Sequence, residues 1–225
     1  SLPRRPNRRC RGGRVEFGLG SAWYEDEHAA YGIPFPSVKE RFDRYAEQLA
    51  VITGMWATPR GETFDHDGVH YQVHESTGLP KPLQTPRPPV LLGGAGPKRT
   101  PALAAQFADE FNVPFIDVDT AAVQFDRVDT ACKAIGRSPD EMIRSAALVL
   151  CVGETEAQIK QRANAIGREV GELRANGLAG TPGEVVDTIG RWRERTGITR
   201  VYLQTLDLSD LDHLELVAAR VAPQL

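Results

Sequence analysis

The residues that could do chemistry begin with a glycine-rich segment, Gly93-Gly94-Ala95-Gly96, which follows the apolar run 90–92. Two cations, Lys98 and Arg99, come next, and residues 101–109 have a composition typical of a helix. This order predicts a strand, a tight turn and a helix N-terminus. Backbone N–H groups that can approach a ligand closely, together with the positive end of a helix dipole, bind phosphate. The segment therefore predicts a phosphorylated ligand.

A second glycine-containing turn, residues 18–22, follows a strand pattern over 14–20. Neither turn has the third glycine of the G-x-G-x-x-G dinucleotide fingerprint, and Lys98 lacks the spacing of a P-loop. Either turn alone is also compatible with an ordinary connection between a strand and a helix. Together in one α/β chain, the two turns predict a shared anion-binding site.

Three histidines recur every four residues, at His66, His70 and His74. On a helix this spacing would suggest metal ligands. The pair Asp67-Gly68 instead favours a β-hairpin, in which four residues span about 13 Å. We therefore predict no metal site. No G-x-S-x-G nucleophile motif is found either, which favours chemistry carried by a cofactor.

The composition and charge of the chain argue against several classes of protein. The chain has 225 residues, a formal net charge of −3 and a pI near 6.0, which argue against a general nucleic-acid binder. No apolar run approaches the roughly 20 residues of a membrane span. Three widely spaced cysteines, Cys10, Cys132 and Cys151, predict reduced thiols in a cytoplasmic protein. The six arginines within residues 1–14 predict a solvated basic arm.

The hydrophobic periodicity predicts an alternation of strands and helices, which make one α/β domain with a parallel sheet. A helix over 37–56 precedes the hairpin, which is predicted over 63–73. Thr181-Pro182 has the composition of a helix start, with a capping threonine and a proline in the first turn. Further strands are predicted at 111–115, 146–152 and 200–205, and further helices at 120–135, 154–175 and 211–221.

Several of these segments, in order, resemble the luciferase-like monooxygenase superfamily, and most closely its branch that uses the deazaflavin coenzyme F420. They are GGRVEFGLGSAW at 12–23, ERFD at 40–43, LGGAGPKRT at 92–100, ADEFN at 108–112 and GTPGEV at 180–185. The resemblance covers residues 12–225. Residues 1–11 resemble no part of the family, so we predict a basic arm over 1–11 and a barrel domain over 12–225.

The resemblance implies an α/β fold that is part of a TIM (β/α)8 barrel, with equivalents of strands 4–8 and a β-hairpin insertion. The equivalents of the first three strands do not appear, so we expect the chain to be N-terminally incomplete, poorly stable and weakly active. Backbone N–H groups in the loops after the fourth and fifth strands hold the coenzyme's phosphate in family members. The matching positions here are Gly20, Ser21, Ala22, Gly93, Gly94, Ala95 and Gly96.

The implied function is an F420-dependent oxidoreductase that transfers a hydride between a small organic substrate and the deazaflavin. An FMN-dependent monooxygenase of the same fold is the alternative, because both cofactors carry a ribityl phosphate. A non-catalytic fragment is an alternative of another class. Glu27 and His28 are candidates for the catalytic acid or base by position alone. The family resemblance further implies a homodimer.

Overall fold

The computed structural model describes residues 13–225, which form two compact units. The first unit comprises the described residues up to Leu92 together with Gln106–Asp109. The second comprises Gly93–Ala105 and Glu110–Leu225. The predicted basic arm and Cys10 lie outside the described residues, and the assignment of one domain to residues 12–225 stays a prediction.

The described residues form eight strands and eight α-helices, with short 3-10 turns at Pro139–Glu141 and Ala222–Gln224. The strands are β1 (Phe17–Gly18), β2 (Phe64–Asp67), β3 (Gln72–Ser76), β4 (Val90–Gly93), β5 (Glu110–Pro114), β6 (Ile143–Val152), β7 (Leu178–Gly180) and β8 (Arg200–Gln204). The helices are α1 (Glu25–Ala30), α2 (Val38–Ala57), α3 (Arg99–Phe107), α4 (Val118–Ala134), α5 (Glu156–Ala165), α6 (Val170–Asn176), α7 (Pro182–Thr196) and α8 (Leu211–Arg220).

In the first unit, β1 runs parallel to β4, with Phe17 opposite Val90 and Gly18 opposite Leu91. The strand predicted over 14–20 is therefore paired over only two residues. Helix α2 starts where the periodicity predicts, because the hydroxyl of Ser37 accepts the N–H of Glu40 at 3.3 Å and caps the first turn. Parallel strands end at the same edge, so the loop after β1 leaves the sheet beside the end of β4.

The predicted hairpin is present as the antiparallel pair β2 and β3, but its turn differs from the prediction. Asp67 pairs with Gln72, so the connection is the four-residue segment 68–71 and not a two-residue turn at Asp67-Gly68. The physical reason is a side chain from α2. The carboxylate of Glu47 accepts the N–H groups of Val69, His70 and Tyr71 at 2.9–3.1 Å and closes the wider turn.

In the second unit, β5, β7 and β8 all pair in parallel with β6. This confirms the predicted parallel α/β class. Strand β6 is long and largely buried, as its uninterrupted apolar sequence predicts. Its far end packs with α5, α6 and β7 in a core cluster of six buried residues, Val149, Cys151, Ile159, Ala163, Leu173 and Ala179.

The prediction of a single long helix over 154–175 is wrong, because the chain forms the two helices α5 and α6 instead. Gly167 has φ +64°, a left-handed conformation that ends α5, and the N–H of Arg168 returns to the carbonyl of Ala163 at 2.9 Å. The three-residue strand β7 is too short to show a periodicity and was not predicted. Helix α7 begins as predicted, because Thr181 and Glu184 form a reciprocal capping box.

None of the helices in residues 13–225 combines the length and the apolar character that a membrane span needs.

Candidate functional site

The predicted loop after β1 is held in place by two hydrogen bonds to Leu19. Its N–H donates to the carbonyl of Leu91 at 3.3 Å, and its carbonyl accepts the hydroxyl of Tyr45 at 2.7 Å. Tyr45 lies on α2 and is buried, and burial raises the pKa of its hydroxyl, which therefore stays protonated and donating. Leu19 thus anchors the start of the loop to both β4 and α2.

Beyond Leu19, the loop presents backbone donors. In the part of the chain that the structure describes, the N–H groups of Gly20, Ser21 and Ala22 donate to no protein acceptor. Ala22 has φ +64°, which is uncommon for a residue with a side chain. All three residues line a cavity of about 380 Å³ within the first unit. Three unsatisfied donors on one cavity fit an acceptor-rich ligand such as phosphate.

Side chains of α2 and the hairpin also form part of the wall of this cavity. Glu40 accepts two hydrogen bonds from Arg44, at 3.0 and 2.8 Å, and this pair is partly solvent-exposed. Gln48 donates to the hydroxyl of Tyr71 at 2.7 Å. Arg41 also lines the cavity. The wall therefore offers amide, hydroxyl and guanidinium groups to a polar ligand.

The two candidate acid–base residues, Glu27 and His28, differ in their access to the cavity. His28 lines the cavity, and its Nδ1 lies 2.9 Å from the carbonyl of Tyr24, so Nδ1 carries the proton and Nε2 carries the lone pair in the neutral ring. Its ring also packs edge-on against Phe35 at 4.8 Å between centroids. Glu27 is exposed on the same short helix α1 and does not line the cavity. His28 is thus the candidate with access to a ligand there.

The second predicted loop, residues 93–96, belongs to the second unit. The N–H of Gly94 donates to the carbonyl of Asn112 at 3.2 Å, so this donor is already used. A side chain at Gly93 would lie 2.6 Å from the same carbonyl oxygen, so the close approach of β5 requires glycine there. Within the described residues, the N–H groups of Ala95 and Gly96 have no protein acceptor. Two donors therefore remain available in this loop.

A buried side chain that the sequence did not reveal fixes the shape of this loop. Gln124, on α4, is 1% exposed, and its Nε2 donates to the carbonyls of Gly94 and Gly96 at 3.1 and 3.0 Å. Its Oε1 accepts from Arg127 at 3.0 Å. The carbonyls of Gly94 and Gly96 therefore both have a hydrogen-bond donor inside the protein.

The aromatic residues after β1, for which core packing is the first expectation from sequence, lie at the surface. Trp23 is 84% exposed, Tyr31 is 76% exposed, and Tyr24 is half exposed with its ring 5.3 Å from that of Trp23. They do not form part of the core.

No group of three or more histidine, cysteine or acidic side chains within residues 13–225 is arranged to hold a metal ion. His66 and His74 lie on the two strands of the hairpin, and His70 lies in its turn. Cys132 and Cys151 are buried free thiols whose pKa values are raised by burial. None of these residues supplies a reactive group to the cavity.

Comparison with known proteins gives matches along most of the chain. Residues 9–176 match the family model described as luciferase-like monooxygenase. An FMNH(2)-dependent dimethylsulfone monooxygenase of Pseudomonas putida is 28% identical over 127 residues, which are 56% of this chain and 34% of that protein. An F420-dependent glucose-6-phosphate dehydrogenase of Beutenbergia cavernae is 36% identical over 99 residues, 44% of this chain and 27% of that protein.

A solved structure shows the same fold. An F420-dependent secondary alcohol dehydrogenase, in complex with an F420–acetone adduct, superposes with a TM-score of 0.82 at 18% identity. The match covers 96% of this chain and 71% of that chain. The predicted fold class, α/β and part of a TIM barrel, is confirmed. The matched segments span 34% and 27% of the two curated relatives.

Proposed function

Because the chain belongs to the luciferase-like monooxygenase family, we propose that it is the cofactor-binding part of an F420-dependent oxidoreductase. The reaction class is hydride transfer between a small organic substrate and the deazaflavin ring. The observation that carries the proposal is the cavity of the first unit, which is lined by residues 20–22, whose N–H groups have no acceptor among the described residues. The family itself contains both F420-dependent oxidoreductases and FMN-dependent monooxygenases.

Phosphate is the part of the cofactor that these residues fit. A phosphate monoester presents several strong acceptor oxygens, and backbone N–H groups bind such oxygens at the ends of strands and the starts of helices. The loop of the second unit has the same character, with free N–H groups at Ala95 and Gly96 just before α3. We propose that the loop of the first unit, residues 20–22, contributes donors to the ribityl phosphate.

Similarity to F420-dependent enzymes supports F420 over FMN. Five relatives are F420-dependent glucose-6-phosphate dehydrogenases, 31–36% identical over 84–106 residues. The FMN-dependent alternative is supported by the dimethylsulfone monooxygenase, whose match is longer but 28% identical. Both cofactors have a ribityl phosphate, so the loops alone do not favour one of them.

When bound, the deazaflavin supplies the centre that accepts or donates the hydride. The chain's own part is to bind the phosphate and to provide a group that moves a proton. We propose His28 for that group rather than Glu27, because His28 lines the cavity and its Nδ1 donates to Tyr24, which leaves Nε2 without a protein partner among the described residues. A cytoplasmic location and a homodimer remain predictions from the sequence.

Titration of the 225-residue chain with F420 and with FMN, each followed by fluorescence, tests the proposal. Tighter binding of F420 supports the F420-dependent oxidoreductase. Tighter binding of FMN favours the monooxygenase. Binding of neither cofactor by a chain that is folded by circular dichroism contradicts both and favours the non-catalytic alternative.

A further inference from the structure

Among the described residues that line the cavity of the first unit, one cation, Arg41, has no carboxylate partner. Glu40, which also lines the cavity, pairs with Arg44 at 2.8 Å, and Asp43 pairs with Lys39 at 2.8 Å. Arg41 lies between these pairs on α2 and forms no ion pair with any of the described residues. An arginine guanidinium carries a positive charge in proteins. The cavity therefore carries a positive charge that a bound anion would neutralise.

The guanidinium of Arg41 is held in one orientation, and most of its N–H groups have no hydrogen-bond acceptor among the described residues. Its Nη1 donates to the carbonyl of Pro36 at 2.6 Å, and its Cζ lies 3.9 Å from the centroid of the Phe35 ring. A guanidinium has five N–H donors, and this is the one hydrogen bond that the side chain of Arg41 makes within residues 13–225. Its Nε is buried without a hydrogen-bond partner. A fixed cation with unused donors binds an anion with little loss of side-chain entropy.

We propose that Arg41 binds a phosphate monoester through charge-assisted hydrogen bonds in this cavity, which the backbone donors of residues 20–22 also line. The inference rests on the proposed function for the identity of the monoester, the ribityl phosphate of the cofactor. Backbone N–H groups supply shape and direction but no net charge. Arg41 supplies the charge, which is why a dianionic phosphate is favoured over a neutral ligand.

Arg41 could instead serve only to hold the segment 34–36 against α2. The bond to Pro36 and the contact with Phe35 suit that role. The two roles differ in one measurable respect. A residue that only holds the segment changes the stability of the chain by the same amount in the presence and absence of phosphate, whereas an anion-binding residue changes the effect of phosphate itself.

The experiment measures the thermal unfolding of the 225-residue chain in rising inorganic phosphate, with chloride replacing it at constant ionic strength. Phosphate is expected to raise the Tm of the wild type, and R41Q is expected to weaken the apparent phosphate affinity at least about tenfold. K39Q removes one charge from the same helix, away from the cavity, and is expected to bind phosphate as the wild type does. A wild type that phosphate does not stabilise, or an R41Q protein that it stabilises equally, overturns the proposal.

If R41Q does not fold, R41K decides the question, because lysine keeps the charge but loses the planar fork. Weaker phosphate binding by R41K supports the proposal, and unchanged binding overturns it. The cofactor titration is independent of this result. Phosphate stabilisation that depends on Arg41, in a chain that binds neither F420 nor FMN, would contradict the proposed function while leaving the anion site intact.

Discussion

The hydroxyl of Tyr45 donates a hydrogen bond to the carbonyl oxygen of Leu19 at 2.7 Å, and this bond joins helix α2 to the loop that carries the candidate phosphate donors. The residues are 26 positions apart in the sequence. The loop begins at the residue whose carbonyl is held, so its backbone direction depends on a side chain that is itself buried. Cofactor binding should therefore be sensitive to Tyr45, although Tyr45 donates its hydroxyl to the protein.

We expect Y45F to lower both stability and cofactor affinity. The variant leaves the Leu19 carbonyl without its donor, which costs about 1 kcal/mol of unfolding free energy. The ring still fills the core, so the chain should fold, and the loop should become less well ordered. Chemical denaturation and a titration with FMN measure the two effects. Y24F, which alters a half-exposed tyrosine nearby, serves as the control, and equal effects from both variants would argue against the role of Tyr45.

The turn of the hairpin should respond to pH through Glu47. Burial opposes ionisation of its carboxylate, but the three N–H groups of the turn outweigh it and lower the pKa below 4.5. Because the folded pKa is lowered, this contribution to stability is present above the unfolded value and is lost as pH falls through the folded one. E47Q should therefore be less stable than the wild type at neutral pH and should differ from it less in acid.

Denaturation at several pH values measures this difference between E47Q and the wild type. E62Q, at an exposed glutamate before the hairpin, is the matched control and should follow the wild type at every pH. A difference between E47Q and the wild type that stays constant across the acid range would contradict the account.

His213 should produce a second pH dependence nearer neutrality. Its Nε2 accepts the N–H of Val152 at 2.9 Å, and burial is the main cause that lowers its pKa from 6.5. The folded chain thus favours the neutral ring, and the stability that this ring contributes is present above about pH 6.5 and decreases as pH falls below that value. H213N should remove that slope, measured as unfolding free energy against pH, while H74N at an exposed histidine should preserve it.

Gln124 should matter for the loop of the second unit. Q124L removes the amide that donates to the carbonyls of Gly94 and Gly96 and leaves both without a partner inside the protein. Since an unsatisfied buried polar group costs about 1–3 kcal/mol, we expect a comparable loss of unfolding free energy. Q106L, at a glutamine on α3 for which the described residues show no side-chain hydrogen bond, is the control. A Q124L protein as stable as the wild type would show that the loop keeps its shape without the amide.

The sequence predicts those features of the fold that are set by neighbouring residues. Ser37 and Thr181 mark the starts of α2 and α7, because a helix cap depends on residues three positions apart. The continuous apolar run of β6 likewise predicts a buried parallel strand. The family resemblance was carried by short segments in a fixed order, and both the fold class and the family were confirmed.

Features that depend on distant residues could not be predicted. Glu47 widened a turn that begins 21 residues later, and a single left-handed glycine, Gly167, divided a predicted helix whose periodicity continues through it. Tyr45 holds the start of the loop after β1, Arg41 lines the cavity beside that loop, and Gln124 holds the loop at 93–96. All three lie on helices, where their spacing is that of ordinary amphipathic residues. The role of such a side chain can be seen only in the folded structure, where it lies beside a loop that is distant from it in the sequence.

The most direct test of the central claim compares each cofactor with its phosphate-free form. We predict that the wild-type chain binds FMN more tightly than riboflavin, and F420 more tightly than its phosphate-free ribityl deazaflavin, at least about tenfold in the pair that it recognises. G20A should reduce this preference without loss of stability, because a side chain at residue 20 would meet no protein atom within 4 Å. Equal affinity for the phosphorylated and phosphate-free forms would contradict the claim that the loop at residues 20–22 binds the cofactor's phosphate.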